Sequence, residues 1–207
     1  DMTLQSIVDN DPETYQTFVD ESGSTQLLQA YTQTEYSVSN SLEFNAGFHY
    51  QYFLLNGNTS IEPRAGLSWK MHPNHSLSFG YGKHSQVEDL QYYLATQETA
   101  EGRVQPNKNL DFVKADHFVL AYDFQVSPTT RIKIEPYYQS LFNVPVIADD
   151  PFSFLNLKNE FYLNEPLINE GTGTNIGIDF TVEKFLKDNY YYLVTASLFD
   201  SKYTGGD

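Results

Sequence analysis

The feature that most constrains this chain is Leu42-Glu43-Phe44-Asn45-Ala46-Gly47-Phe48-His49-Tyr50-Gln51-Tyr52-Phe53-Leu54. Every second residue from Leu42 is apolar or aromatic, and the residues between are polar or lack a side chain. A period of two is a strand with one oily face and one wet face. Thirteen residues exceed the usual strand of roughly 5–6. They suit a tilted membrane-crossing strand, which takes about 9–11. The oily face would then meet lipid and the wet face a lumen.

The same alternation recurs along the chain. It runs through Leu28 to Val38, Ala65 to Met71, Leu77 to Tyr81, Phe118 to Val126, Ile132 to Tyr138, Ile176 to Val182 and Tyr190 to Phe199. About eight strands in four hairpins result. Short turns fall at 39–41, at His72-Pro73-Asn74-His75, at Ser127-Pro128-Thr129-Thr130 and at 187–189. Gly57–Ser60 is a modest loop, while residues 1–24, 87–115 and 144–174 read as long loops, the first of them solvated and acidic. Pro136 inside a strand predicts a bulge or locally weak pairing. Loops sorted by length to opposite ends are the mark of an up-and-down transmembrane barrel with short periplasmic turns and long extracellular loops. The expected fold class is all-β, an antiparallel transmembrane barrel segment.

Charge sorts in the same way. The three long segments hold 16 of the 27 acidic residues but only Arg103, Lys108, Lys114 and Lys158 among the basic ones. A net charge of −15 disfavours nucleic acid as a partner, because phosphate binding needs basic surface, and none is expected. With no Cys there is no disulfide framework and no thiolate metal site. No stretch of 18 apolar residues makes a membrane helix. Asp1-Met2-Thr3-Leu4 lacks the basic and apolar regions of a signal peptide.

The wet faces carry Glu43, His49, Arg64, Lys70, Asp123, Arg131, Lys133, Glu135, Asp179 and Glu183, expected as lumen-facing wall. Placing them inward is physically required, since a midplane Arg or Lys on the lipid face costs about 2–4 kcal/mol. His84 and His117 belong to the lumen or its rim. His72 and His75 flank a turn Pro with no carboxylate or Cys to complete a metal set, and neither Asp9-Asn10-Asp11 nor Asp149-Asp150 has calcium-loop spacing. No Ser/His/Asp arrangement supports catalysis, so the chain is not expected to be an enzyme. The ligand candidates are loop aromatics, Tyr92, Tyr93, Phe152, Phe154, Phe161 and Tyr162, whose flat amphipathic rings suit sugar or chelate recognition.

Several segments resemble barrel segments of TonB-dependent outer-membrane receptors. They are Asn107–Phe112, His117–Asp123, Glu135–Gln139 with Asn143–Val146, Asn169–Gly173 leading into Asn175–Asp179, and Ala196–Tyr203. The likeness covers roughly residues 25–207. It implies a slice from the interior of a large barrel, without plug or TonB-contacting segment, in a receptor that imports a scarce nutrient (iron chelate, haem, cobalamin or glycan). The implied partners are outer-membrane lipid and lipopolysaccharide, the TonB complex through parts outside this sequence, and a surface lipoprotein; no cofactor is implied. Two alternatives of different class stand beside it. One is a self-contained eight-stranded outer-membrane barrel for adhesion or anchoring. The other is a soluble lipophile-binding barrel, which requires the apolar alternates to face inward.

Overall fold

A computed structural model describes residues 2–7, 15–21, 24–149, 165–187 and 189–206. Strands β1 (Met2–Ile7) and β2 (Tyr15–Glu21) form a separate antiparallel hairpin. Then come β3 (Leu27–Ser39), β4 (Leu42–Phe53), β5 (Thr59–His72) and β6 (His75–Gln86). A short helix α1 (Leu90–Leu94) and the small hairpin β7 (Gln97–Thr99) and β8 (Gly102–Val104) follow. The long strands β9 (Val113–Ser127), β10 (Thr130–Ile147), β11 (Leu167–Lys187) and β12 (Tyr190–Thr204) close the chain. The eight long strands make one antiparallel sheet in the order β12-β11-β10-β9-β6-β5-β4-β3. Every neighbour in that order is also the next long strand in sequence, which is the expected meander.

Register fixes the two faces. One row runs Tyr36↔Phe44↔Leu67↔Phe79↔Leu120 and continues farther along as Pro136↔Ile178↔Leu198. The adjacent row runs Ser37↔Glu43↔Ser68↔Ser78↔Ala121, then Glu135↔Asp179↔Ser197. Apolar side chains therefore share one face across the whole sheet, and polar or small ones share the other. The apolar face is not a core: Phe79 is 46% exposed and Leu120 43%. Among the described residues the buried apolar side chains are Phe53, Tyr92, Tyr93, Ala95, Leu110, Phe112, Val144, Val146 and Leu167, all at the loop end. On β9 the apolar run Phe118 to Val126 spans about 26 Å at roughly 3.3 Å per residue. Tilted, that gives a band of roughly 20 Å, close to the ~25 Å of outer-membrane barrels.

The short turns lie together at one end and the long connections at the other, as the sequence predicts. Register shifts gather near strand ends: Ser37/Ser39, Lys70/His72, Thr130/Arg131, Leu141/Val144 and Lys184/Lys187. Bulges concentrate at rims because the ladder there is free to break without exposing backbone to lipid.

Several expectations need correction. The first 24 residues are not an irregular loop, since they contain β1 and β2. Acidic composition hid the β-forming run Tyr15-Gln16-Thr17-Phe18-Val19. The segment 87–115 contains α1, β7 and β8, and β9 already begins at Val113. Strand β10 runs on to Ile147 and β11 starts at Leu167, so both ends of the segment read as the second long loop are strand. The Gly57–Ser60 loop gives way to β5 at Thr59, and β12 continues to Thr204. Beyond the membrane neither face must be uniformly apolar, so strands persist where their alternation has ended. At Pro136 the bulge is absent but the weak pairing is present: it pairs with Ile178 on β11, whereas the β9–β10 pairing lapses at Glu135 and Pro136 between Ile134↔Tyr122 and Tyr137↔Val119, with the register kept on either side. The two alternative architectures fail as well. A self-contained eight-stranded barrel needs β3 paired with β12, and these are the two open edges of the sheet. A soluble lipophile barrel needs its apolar face sealed inside.

Candidate functional site

All ten charged or imidazole residues assigned to the wet faces lie on the polar side of the sheet. They form two groups. Toward the long-loop end, Glu62 of β5 is 2% exposed and gathers the surrounding donors. Its carboxylate lies 3.0 Å from His49 Nδ1 and 3.4 Å from Arg64 Nη2, and it accepts hydrogen bonds from Gln51 Nε2 and, at 3.0 Å, the Ser85 backbone N–H. Gln51 also donates to the Ser85 carbonyl at 2.9 Å and accepts from Gln29 at 3.0 Å. The local cause is Pro63. Proline has no N–H to donate, and the β5–β6 ladder begins only at Arg64↔Gly82. Both backbone groups of Ser85 are met instead by the side chains of Glu62 and Gln51. The ladder is continued by carboxylate and amide, and the buried charge is held by charge-assisted hydrogen bonds.

Toward the short turns the charges pair across strands. Arg131 lies 3.6 Å from Asp123 on β9 and 3.1 Å from Glu183 on β11, bridging three strands. Along β10 itself Lys133 lies 2.6 Å from Glu135, and between β12 and β11 Ser197 donates to Asp179 at 2.5 Å. Glu43 and Lys70 border one concavity with Ser68, Ser76 and Asp123. Between the groups, β5, β6 and β9 present only Gly66, Ser68, Ser78, Gly80, Val119 and Ala121, which leaves the wall thin there. Farther along, Glu135, Tyr137, Gln139, Asn175 and Phe199 line a concavity of about 510 Å³, and Asn175 bridges Gln139 (3.0 Å) and Tyr203 (3.1 Å). These concavities open on the polar face and mix both charge signs with amides and phenols. Such a surface can take up a polar or zwitterionic molecule.

At the long-loop end the connections pack into a cap. Phe53, Tyr93, Leu110, Phe112 and Leu167 form its core, with Phe53 and Tyr93 edge-to-face at 5.1 Å. Asparagine side chains sew the loop before β9 to its neighbours. Asn56 and Asn58 donate to the Leu110 carbonyl at 2.9 and 3.0 Å. Asn107, fully buried, donates to the Glu165 carbonyl (3.0 Å) and accepts from the Leu167 N–H (2.8 Å). Asp111 accepts from Lys114 at 2.7 Å and from Asn143 at 3.0 Å. Asn143 takes a left-handed φ of 56° at the bulge, a conformation asparagine tolerates better than most side chains.

The loop aromatics fare unevenly. Tyr92 and Tyr93 are 1% and 0% exposed, so their rings build the cap and present no open face to a ligand. Burial pushes the Tyr93 hydroxyl up to about 12. Phe152, Phe154, Phe161 and Tyr162 lie outside the described residues. Reading the sequence alone misses Glu62, Gln51 and Asn107. For Glu62 the signal exists: Ser60, Glu62, Arg64, Gly66, Ser68 and Lys70 share one parity, which Pro63 and the loop-like Gly57-Asn58 obscure. Asn107 carries no such signal, because it sits outside any alternating run.

Comparison with known proteins then gives the following. Residues 2–207 match a family model described as TonB dependent receptor-like, beta-barrel. The fold is similar to the alcaligin outer membrane receptor FauA from Bordetella pertussis, with a TM-score of 0.59 at 13% identity, over 88% of this chain and 31% of that one. It is also similar to the siderophore receptor PirA from Pseudomonas aeruginosa, with a TM-score of 0.60 at 12% identity, over 86% of this chain and 37% of that one. The chain thus spans about a third of the length of these two receptors. No curated protein sequence matches it.

Proposed function

The chain belongs to the TonB-dependent receptor β-barrel family of the bacterial outer membrane, and from that premise we propose that it serves active uptake of a scarce, bulky nutrient. In this reading the eight strands are one stretch of barrel wall. The polar face with Glu43, His49, Arg64, Lys70, Asp123, Arg131, Lys133, Glu135, Asp179 and Glu183 lines the lumen, and the capped loop end faces outward toward the ligand. The wall carries no catalytic role. The TonB complex would supply energy through other parts of the native protein, and lipopolysaccharide and a surface lipoprotein are its expected neighbours. The carrying observation is the register, which puts an unbroken apolar row beside an unbroken polar row across the sheet.

Ligand class follows from the polar face and the cap. The concavity along Tyr137, Gln139, Asn175 and Phe199 offers two amides, a phenol and the Phe199 ring, groups suited to chelates with amide, hydroxyl and carboxylate edges. The fold neighbours are named for siderophores, so a ferric chelate is the first ligand to try. The test is uptake of labelled ferric chelates, haem, cobalamin and oligosaccharides by cells with and without the gene, before and after collapse of the proton gradient. Gradient-dependent uptake of one class supports the reading. Uptake of none, or leakage unaffected by the gradient, overturns it.

A further inference from the structure

We propose that His84 and His117 form a two-imidazole site for a late first-row transition-metal ion on the polar wall of the barrel. His84 lies on β6 and His117 on the adjacent β9, both on the polar face. His117 pairs with Gly82, two residues before His84. The rings are tilted by 50° with centroids 4.6 Å apart. Two imidazoles bound to one ion at ~2.0–2.1 Å, between right-angle and tetrahedral geometry, put their centroids roughly 4.5–5 Å apart. The pair already stands at that spacing.

Gly82 is what allows it. A Cβ built there would sit 3.0 Å from His84 Nε2. The His84 ring therefore leans over the bare backbone opposite His117, and its outer nitrogen is directed along the face that His117 shares. Any side chain at position 82 would fill the space an ion needs.

The surroundings leave the ion half-open. Among the described residues no third His, Cys, Asp or Glu is grouped with the pair as a ligand set. The remaining positions fall to water or to donor atoms of an incoming chelate. Arg64 pairs with Gly82 in the ladder and its charge reaches His84, where the Glu62 carboxylate, 3.4 Å from Arg64 Nη2, opposes its repulsion of a cation. Neutral imidazoles favour copper, nickel and zinc over harder ions, with copper(II) held most tightly. The site stands independently of which nutrient the receptor carries.

A second histidine pair is the natural rival. His72 and His75 at a short turn have centroids 5.7 Å apart, but His75 Nδ1 is bonded to the Tyr122 hydroxyl at 2.7 Å and its ring stacks on Phe124 at 4.5 Å. The experiment is Cu²⁺ titration of the native protein extracted from outer membranes, followed by calorimetry and electron paramagnetic resonance. We expect one equivalent showing two-nitrogen coupling. Binding should weaken at least tenfold in His84→Ala and in His117→Ala, and in Gly82→Val, while His72→Ala stays within twofold of wild type. Protection of His84 and His117 from diethylpyrocarbonate by Cu²⁺, read on peptides of the wild-type protein, decides the matter if a variant fails to assemble. No Cu²⁺ binding overturns the proposal. So does binding unchanged in the His84 and His117 variants, binding lost in His72→Ala, or absence of protection.

Discussion

Replacing Glu62 by Ala should loosen β4, β5 and β6 at the long-loop end, and the structure sets the magnitude. The carboxylate is 2% exposed and holds the Ser85 N–H, the Gln51 amide, His49 and Arg64. Truncation leaves the Ser85 N–H and one N–H of the Gln51 amide, whose other N–H stays on the Ser85 carbonyl, without their acceptor, at about 1–3 kcal/mol for each donor that water cannot reach. Arg64, whose side chain is half exposed, turns to water at little cost. The sum is roughly 2–5 kcal/mol, in the range for breaking a buried ion pair from one side. Glu62→Gln keeps one acceptor oxygen but turns an amide toward His49 and Arg64, so about half that loss is expected. Glu43→Ala is the control, since Glu43 is exposed and a surface change of this kind stays within about 0.5 kcal/mol. The assay is denaturant unfolding of the purified protein in micelles, read as an unfolding rate if the transition is irreversible. Hydrogen exchange at Ser85 and its neighbours localises the effect. Glu62→Ala indistinguishable from Glu43→Ala, with Ser85 still protected, would refute the reasoning.

Other consequences are as direct. Asn107→Ala removes two buried hydrogen bonds between the loops and should cost about 2–4 kcal/mol locally, appearing as faster proteolysis within 87–112 with the strands still protected. Burial holds the Tyr93 hydroxyl neutral to about 12 against an ordinary value of 10. A raised native value means its contribution, on the order of 2–3 kcal/mol, is whole below pH 10 and lost as pH rises through 12. Ultraviolet titration should show a late-ionising tyrosine that disappears in Tyr93→Phe. Phe79→Arg puts a cation on the apolar face and should cost about 2–4 kcal/mol or abolish assembly, whereas Gly80→Arg next to it, on the open polar face, should assemble; heat-modifiable gel mobility reads both.

How much of this was legible in the sequence depends on depth. Within the membrane the solvent differs on the two faces of every strand, so alternation is enforced, and Phe44, Leu67, Phe79 and Leu120 could be assigned to one side from their parity. The turns were legible for a local reason: Pro73 and Pro128 fix φ, and Asn, Ser and Thr surround them. Beyond the membrane the same strands continue without that constraint. Val144-Pro145-Val146 is buried within β10 and shows no period of two, so its strand character could not be read. The cap failed for another reason. Tyr92 and Tyr93 look like binding aromatics in composition, yet both are buried and Tyr93 packs with Phe53 and Phe112, a long-range choice that local pattern does not encode. The Glu62 cluster sits between these cases: its partners are adjacent in register, and a proline interrupted the pattern that would have shown it.

The measurement closest to the heart of this account is accessibility along β9. These 207 residues hold no cysteine, so once any cysteine elsewhere in the native protein is replaced, single cysteines from His117 to Val126 can carry a spin label one at a time in the protein reconstituted in lipid. Labels at 118, 120, 122 and 124 should relax with oxygen, which dissolves in lipid, and those at 117, 119, 121, 123 and 125 should not. The opposite phase, or no two-residue period, would contradict the assignment of the apolar face to the membrane and the polar face to the lumen.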